Sequence, residues 1–267
     1  MPSFRKILIA SSKGGVGKST TAIGLSAAFA RGGKNVLLVD LDYASRSLDM
    51  LLDAQDLTLK DFGDIVAGDP VKTVSVSPLK ELPDLNLIPA CNADRLRYLS
   101  ESGDRTIEET VLAGVETIVQ SGEYDILICD TGGGLDCACA VAGQFDIALV
   151  TSEQGKTSIR AAEYAAARLE SSGAPVRRLV ICSFDLKAIS RENRAGIIEM
   201  IDSSSLPCAG VVPYDPRLQR MQDSGTVPPE KSLTSIAYGN IAKRILGDDV
   251  RLFEGINGLF SRRMKAL

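Results

Sequence analysis

The sequence predicts an α/β fold, a single domain built on a doubly wound, mostly parallel sheet with helices on both faces. Short apolar runs alternate with longer segments of helical period, which is the order that βαβ units produce. The short runs, such as Val36-Leu37-Leu38-Val39, are almost continuously apolar, as in strands that are buried on both faces. The length of 267 residues suits one large domain of this class.

Taken in chain order, each predicted strand is an apolar run rich in Val, Ile or Leu. These runs lie at residues 6–11, 35–40, 86–89, 125–130, 146–151, 177–183 and 209–213. The predicted helices show apolar residues three or four positions apart. They lie at residues 18–31, 58–67, 106–121, 157–171, 193–203, 215–223, 234–246 and 250–265. Residues 68–105 have the least regular pattern, and we expect a surface excursion there.

The loop after the first predicted strand is a phosphate-binding motif. It reads Lys13-Gly14-Gly15-Val16-Gly17-Lys18-Ser19-Thr20. Glycines let backbone N–H groups curl around a phosphate chain, Lys18 can reach the β- and γ-phosphates, and the Ser19 hydroxyl can hold Mg²⁺. The helix that starts near Lys18 directs its positive end at the same site. All eight residues are therefore predicted to bind nucleotide, on the sheet of a P-loop NTPase.

Acidic residues end two of the predicted strands. Ligands of a doubly wound sheet bind at the carboxyl ends of its strands, where the phosphate loop also lies. Asp130 closes an apolar strand, which is the arrangement that holds Mg²⁺ directly or through water. Asp40 and Asp42 form a second acidic site, and a carboxylate near the γ-phosphate can orient an attacking water.

Lys13 has no evident role inside its own loop. Its position in the motif is the basis of a resemblance to a known family. The motif resembles the deviant Walker A sequence KGGxGK[ST] of the MinD/ParA ATPases. That resemblance implies an ATP-bound homodimer in which Lys13 reaches the partner's phosphates, with Lys13 and Lys18 both catalytic. Residues 39–49 are similar to the switch I segment D-x-D-x-G-L-R-N-L-D, with departures at positions 44, 45 and 47. The same resemblance implies that Asp42 positions the water and that Asp40 lies near the metal.

Two further segments resemble the family's nucleotide contacts. Switch II usually reads D-S-P-A-G, whereas here Thr131, Gly132 and Gly133 follow Asp130, so we expect a more flexible loop. Residues 210–215 resemble the family's G-V-[IV]-P-x-D loop, which lies beside adenine, and this resemblance implies that Pro213 and Asp215 contact the base. Family members often have an asparagine after the 177–182 strand, and in this sequence that residue is Ser183. The guanine motif [NT]KxD is absent from the sequence, which favours ATP.

The last residues form a predicted amphipathic helix. Apolar side chains from Leu252 to Leu267 fall on one stripe, and most of the basic side chains lie opposite. This pattern is typical of an interfacial membrane anchor, and its position resembles the membrane-targeting helix of MinD proteins. The alternative is a last helix docked on the protein's own core. We expect an ATPase domain at 1–249 and a membrane-targeting helix at 250–267, with lipid contacts from Phe253, Ile256, Leu259, Phe260, Arg262, Arg263 and Met264.

Composition excludes several classes of protein. Histidine is absent, which rules out Ser-His-Asp triads and histidine metal ligands. The six cysteines contain no CxxC pair, and we see neither a signal peptide nor a spanning segment, so we expect a cytoplasmic protein on the inner face of the membrane. A net charge of −4 disfavours DNA as a partner.

The expected function is that of an ATP hydrolase of the MinD branch, with ATP and Mg²⁺ as ligands. Its ATP-dependent dimerisation and peripheral membrane binding would regulate placement of the division septum, with a division-inhibitor or activating protein as partner. One alternative is a ParA-like partition or flagellar-number ATPase, which shares the same core motifs. Another is an Mrp-type iron–sulfur carrier, which Cys137-Ala138-Cys139 supports poorly because such carriers use CxxC.

Overall fold

Seven parallel strands form one sheet in the computed structural model, which describes residues 4–191 and 194–256. The strands are β1 (Arg5–Ala10), β2 (Val36–Leu41), β3 (Leu85–Ile88), β4 (Ile126–Thr131), β5 (Ile147–Ser152), β6 (Arg177–Phe184) and β7 (Cys208–Pro213). Their spatial order is β3-β2-β4-β1-β5-β6-β7. The predicted doubly wound parallel sheet is confirmed, and every predicted strand is present within a residue or two of its expected bounds.

The helices surround this sheet. They are α1 (Lys18–Arg31), α2 (Leu48–Leu51), α3 (Phe62–Val66), α4 (Val71–Val74), α5 (Ala93–Ser102), α6 (Ile107–Ser121), α7 (Asp136–Val141), α8 (Lys156–Ser171), α9 (Leu186–Arg191), α10 (Ile197–Ser204), α11 (Leu218–Asp223) and α12 (Leu233–Leu246). The five helices α2, α4, α5, α7 and α9 were not predicted. The helices predicted at 58–67 and 215–223 are shorter than expected.

Each face of the sheet has its own apolar core, because side chains alternate along the strands. Ile7 and Ile9 of β1 pack with α1 and α12, whereas Leu8 and Ala10 pack with the helices of the other face. Helices α1 and α12 approach very closely at Gly24, where an added Cβ would lie 2.3 Å from the Tyr238 ring. Any larger side chain at Gly24 would push α12 away from the sheet.

The segment after α12 corrects one prediction. Residues 250–256 form no helix; they fold back on α12, and Gly255 has a φ of 72°. Nδ2 of Asn240 donates to the Glu254 carbonyl at 2.7 Å, and Arg244 donates to the carbonyls of residues 250 and 251. Ile256 is only 1% exposed.

The expected helix at 250–265 is therefore wrong over 250–256. Phe253 and Ile256 were expected to contact lipid, but both pack against the protein's own core. The expected domain boundary at 249 also separates residues that are packed together. The other expected lipid contacts, Leu259, Phe260, Arg262, Arg263 and Met264, lie outside the described residues. Among the described helices, none is long and apolar enough to cross a membrane.

Candidate nucleotide-binding site

The phosphate loop connects β1 to α1 and depends on two glycines. Gly15 and Gly17 have φ values of 72° and 89°, in the left-handed region that favours glycine. A Cβ at Gly17 would also lie 3.1 Å from Cβ of Cys182 in β6. Conformation and space therefore both require glycine at position 17, and helix α1 starts at the next residue, Lys18.

A cavity of about 600 Å³ opens above this loop, at the carboxyl ends of the strands. Ten of the predicted site residues line it: Gly14, Gly15, Gly17, Lys18, Ser19, Thr20, Asp42, Gly133, Pro213 and Asp215. Several other lining residues were not predicted from the sequence, among them Ser47, Glu153, Tyr214, Gln222 and Tyr238. Lys13, Val16, Asp40, Asp130, Thr131 and Gly132 were predicted site residues but do not line the cavity.

The two lysines of the loop point in different directions. Lys18 is 7% exposed, and its Nζ lies 3.5 Å from the Lys13 carbonyl oxygen, so its charge is held inside the loop. Nζ of Lys13 instead donates to Ser158 Oγ at 2.8 Å and to Thr157 Oγ1 at 3.3 Å, at the start of α8. Lys13 therefore lies at the rim of the site, held by hydroxyl groups of its own chain.

Asp40 and Asp130 are neighbours on paired strands beneath the loop. Burial raises the pKa of Asp130 to about 8, repulsion from Asp40 adds to the shift, and the Ser19 hydroxyl and Lys18 oppose it. Burial likewise raises the pKa of Asp40 to about 7, although backbone N–H groups of Leu48 and Asp42 lower it. The site thus contains two carboxyl groups that favour the neutral form unless a cation is present.

The hydrogen bonds of these two carboxylates differ. Asp40 accepts from the N–H of Asp42 at 2.8 Å and from that of Leu48 at 3.1 Å, so it anchors both ends of the switch I segment. Both oxygens of Asp130 are buried and have no partner at full hydrogen-bond distance among the described residues, although the Ser19 hydroxyl lies close enough to lower the pKa of Asp130. Asp40 lies beside Asp130 while it anchors this segment, and its expected place near a metal stays a prediction.

A magnesium ion fits the chemistry of this corner. Mg²⁺ prefers oxygen ligands and is usually held by one or two carboxylates or hydroxyls together with substrate phosphates and water. The unpartnered oxygens of Asp130 and the nearby Ser19 hydroxyl are such ligands. Ser47, which replaces the family's asparagine, contacts Ser19 Oγ at 3.5 Å. Asp130 and Ser19 are therefore the residues that would hold the ion.

The two switch segments meet beside the cavity. Oδ1 of Asp42 accepts from the N–H groups of Ala44 and Ser45, at 3.3 and 3.0 Å. A Cβ on Gly132 would lie 3.0 Å from that same oxygen, so glycine lets the switch II loop approach Asp42 without displacing its carboxylate. The Thr131 hydroxyl donates to the Ile9 carbonyl at 2.9 Å, which ties the base of switch II to β1.

The far end of the cavity is formed by β6, β7 and α11. Asp215 accepts from Nε and Nη2 of Arg217 at 3.0 and 2.9 Å, and this pairing holds its pKa below the usual range. Ser183 has a φ of 50°, a conformation that asparagine adopts more readily than serine. Gln222 donates to Thr20 Oγ1 at 3.0 Å, which joins α11 to the phosphate loop. That contact spans 202 residues, so no local pattern reveals it.

Comparisons with known proteins agree with this geometry. The septum site-determining protein MinD of Synechocystis sp. is 29% identical over 249 residues, covering 92% of this chain and 91% of the relative. The solved MinD cell division protein of Aquifex aeolicus superposes with a TM-score of 0.79 at 28% identity, covering 93% of this chain and 99% of that one. The MinC:MinD cell division protein complex of the same organism matches with the same TM-score and identity, covering 93% of this chain and 98% of that one. The family model described as the CobQ/CobB/MinD/ParA nucleotide binding domain matches residues 7–228, and the chain belongs to this family.

Proposed function

We propose that this protein is a MinD-like ATPase that dimerises when it binds ATP and attaches to the inner face of the cytoplasmic membrane in that state. One observation carries the proposal. The buried, unpartnered carboxylate of Asp130 lies beside Ser19 of the phosphate loop, while Asp42 lines the same cavity. Groups suited to phosphate, a cation and an attacking water are thus brought together, as hydrolysis of ATP to ADP and phosphate requires.

Each part of the site has a distinct task in this proposal. Backbone N–H groups of residues 14–17 and the Lys18 ammonium group bind the phosphates. Asp42 accepts a hydrogen bond from the attacking water and orients it toward the γ-phosphate. The N–H groups of Gly132 and Gly133 receive that phosphate, and Pro213 and Asp215 border the base. Ser19 and Asp130 would hold Mg²⁺, which would supply positive charge next to the phosphate oxygens.

Dimerisation depends on Lys13 in this account. Within the part of the chain that the structure describes, its Nζ is hydrogen-bonded to two hydroxyl groups at the rim, so it can exchange them for a partner's phosphate at little cost. Residues 257–267 then supply the membrane contact, with Leu259, Phe260 and Met264 as apolar groups and Arg262 and Arg263 as basic ones. One such segment binds weakly, but two on one dimer bind with avidity.

The cellular role proposed is placement of the division septum. Support comes from the names of the relatives, which are septum site-determining and cell division proteins, and from the similarity to a MinC:MinD complex. By analogy with that complex, the partner is a division-inhibitor protein, and an activating protein would stimulate hydrolysis. The net charge of −4 makes DNA a poor partner.

Light scattering and phosphate release test this proposal together. With Mg²⁺ and ATP, the 28.4 kDa chain should double its mass, and with ADP it should not. Asp42→Asn should still double its mass but release phosphate at least ~100-fold more slowly, because the water is no longer oriented. A wild-type chain that stays monomeric and releases no phosphate with ATP would contradict the proposal.

A further inference from the structure

A second cavity lies between the end of α1 and the length of α12, with a volume of about 330 Å³. We refer to it as the α1/α12 groove. Its walls include the apolar side chains of Phe29, Ile236 and Leu246, of which Leu246 is 39% exposed. Three cations, Arg31, Lys34 and Lys243, and one acid, Glu230, complete it. The groove therefore combines an apolar surface with an excess of positive charge.

The three cations are not equivalent. Arg31 is fixed by bonds to Ser235 Oγ at 3.2 Å and to the Pro228 carbonyl at 2.9 Å. The ammonium groups of Lys34 and Lys243 make no hydrogen bond and no ion pair with any described residue. Arg31 is therefore held in place by these hydrogen bonds, and the two lysines are available to bind an anion.

The groove also lies where the described chain leaves α12. Asn240, which lines the groove, donates to the Glu254 carbonyl at 2.7 Å. A Cβ on Gly255 would lie 3.4 Å from Cγ2 of Ile236, another lining residue. Residues 257–267 therefore follow directly from a segment that packs beside residues lining the groove.

We propose that the α1/α12 groove binds the phosphate headgroup of an anionic phospholipid while residues 257–267 hold the protein on the membrane. The proposal rests on the membrane attachment proposed above. Lysine is a compact cation that binds phosphate as a point charge, and the apolar wall accepts the carbon atoms next to the phosphate. Glu230 opposes the anion and keeps the contact weak enough to be reversible.

Residues 257–267 themselves are the other conceivable occupant. Their five apolar side chains suit the wall, but they carry Arg262, Arg263 and Lys265 and no acidic residue. Those cations would be placed against Arg31, Lys34 and Lys243. Like charges at short range disfavour this arrangement, whereas an anionic lipid complements the groove.

Binding of the full chain with ATP to vesicles of phosphatidylglycerol and phosphatidylcholine tests the groove. Lys34→Ala/Lys243→Ala should weaken binding about thirtyfold at a fixed anionic fraction, because each of the two lysines near an anionic surface contributes about 1 kcal/mol. Glu230→Gln should strengthen it. The matched control is Lys60→Ala/Lys72→Ala, which removes two surface lysines that pair with Asp69 and Glu123. None of these changes should alter ATP hydrolysis.

The outcomes separate this inference from the proposed function. Equal weakening by the two lysine pairs would show a general charge effect and overturn the groove as a site. Vesicle binding unaffected by Lys34→Ala/Lys243→Ala would overturn it as well, with membrane attachment intact. A full chain that binds no vesicle with ATP would overturn both. If deletion of residues 257–267 shifts the amide resonances of Gly32 and Gly239 without vesicles, the segment itself fills the groove and the lipid assignment is wrong.

Discussion

Two acidic side chains at the base of the phosphate loop, Asp40 and Asp130, differ in their hydrogen bonds. Asp40 satisfies the N–H groups of Asp42 and Leu48 and so shapes switch I. The buried carboxyl group of Asp130 has no partner at full hydrogen-bond distance among the described residues. Its burial lowers the stability of the fold when no cation is bound. The sequence shows that both aspartates lie at strand ends. It does not show which of them accepts backbone hydrogen bonds, because that depends on contacts with distant parts of the chain.

Asp130→Asn should therefore stabilise the nucleotide-free protein, and more so at higher pH. The folded-state pKa of about 8 exceeds the ordinary value of 3.8, so the wild type loses stability as pH rises through that interval. Asparagine has no charge to bury, so the difference in unfolding free energy should grow to roughly 2 kcal/mol or more by pH 8. Thermal melts in EDTA from about pH 5 to 8.5 measure it. Parallel curves for the two proteins would contradict the burial of an unpaired carboxyl group.

Lys13→Ala should bind ATP with near-normal affinity but fail to dimerise. Among the described residues, the Lys13 ammonium group hydrogen-bonds to the hydroxyls of Thr157 and Ser158, so stability should change by about 0.5 kcal/mol or less. Lys18→Ala is the control, because its loss should abolish nucleotide binding itself. Fluorescent-nucleotide titration and light scattering separate the two effects. An ATP-induced dimer of normal affinity in Lys13→Ala would disprove the role given to Lys13.

At the scale of elements, α12 links the nucleotide site to the segment that follows it. Tyr238 lines the nucleotide cavity, and its hydroxyl lies 3.5 Å from Thr21 Oγ1 of α1. Two turns later, Arg244 holds the carbonyls of Ala209, Val250 and Arg251. One helix thus contacts the ligand cavity at one end and secures residues 250–256 at the other.

Arg244→Ala should release residues 250–256 from α12 without weakening nucleotide binding. Three backbone carbonyls lose a charged donor at once, and we expect a loss of roughly 2–3 kcal/mol in unfolding free energy. Hydrogen exchange at residues 250–256 should rise, while ATP affinity stays within about twofold. Arg97→Ala, which removes an exposed arginine, is the control. Unchanged exchange in this segment would show that Arg244 does not hold it.

At the scale of the whole molecule, contiguous patterns predicted most of the architecture. The strands and the phosphate loop are local in sequence, so periodicity and spacing located them. The same patterns placed Phe253 and Ile256 on an apolar stripe. An apolar stripe does not show what it packs against, and these two side chains pack against the protein's own core. Thr131, bound to the Ile9 carbonyl, and Gln222, bound to Thr20, depend on contacts more than a hundred residues apart.

The central claim, that ATP converts this protein to a membrane-bound dimer, is tested most directly by co-sedimentation with anionic vesicles. The full chain should be compared with residues 1–256, because residues 250–256 belong to the folded core. We expect pelleting of the full chain with ATP, little with ADP, and none for residues 1–256 in either state. Equal pelleting with ATP and ADP, or undiminished pelleting of residues 1–256, would contradict the account.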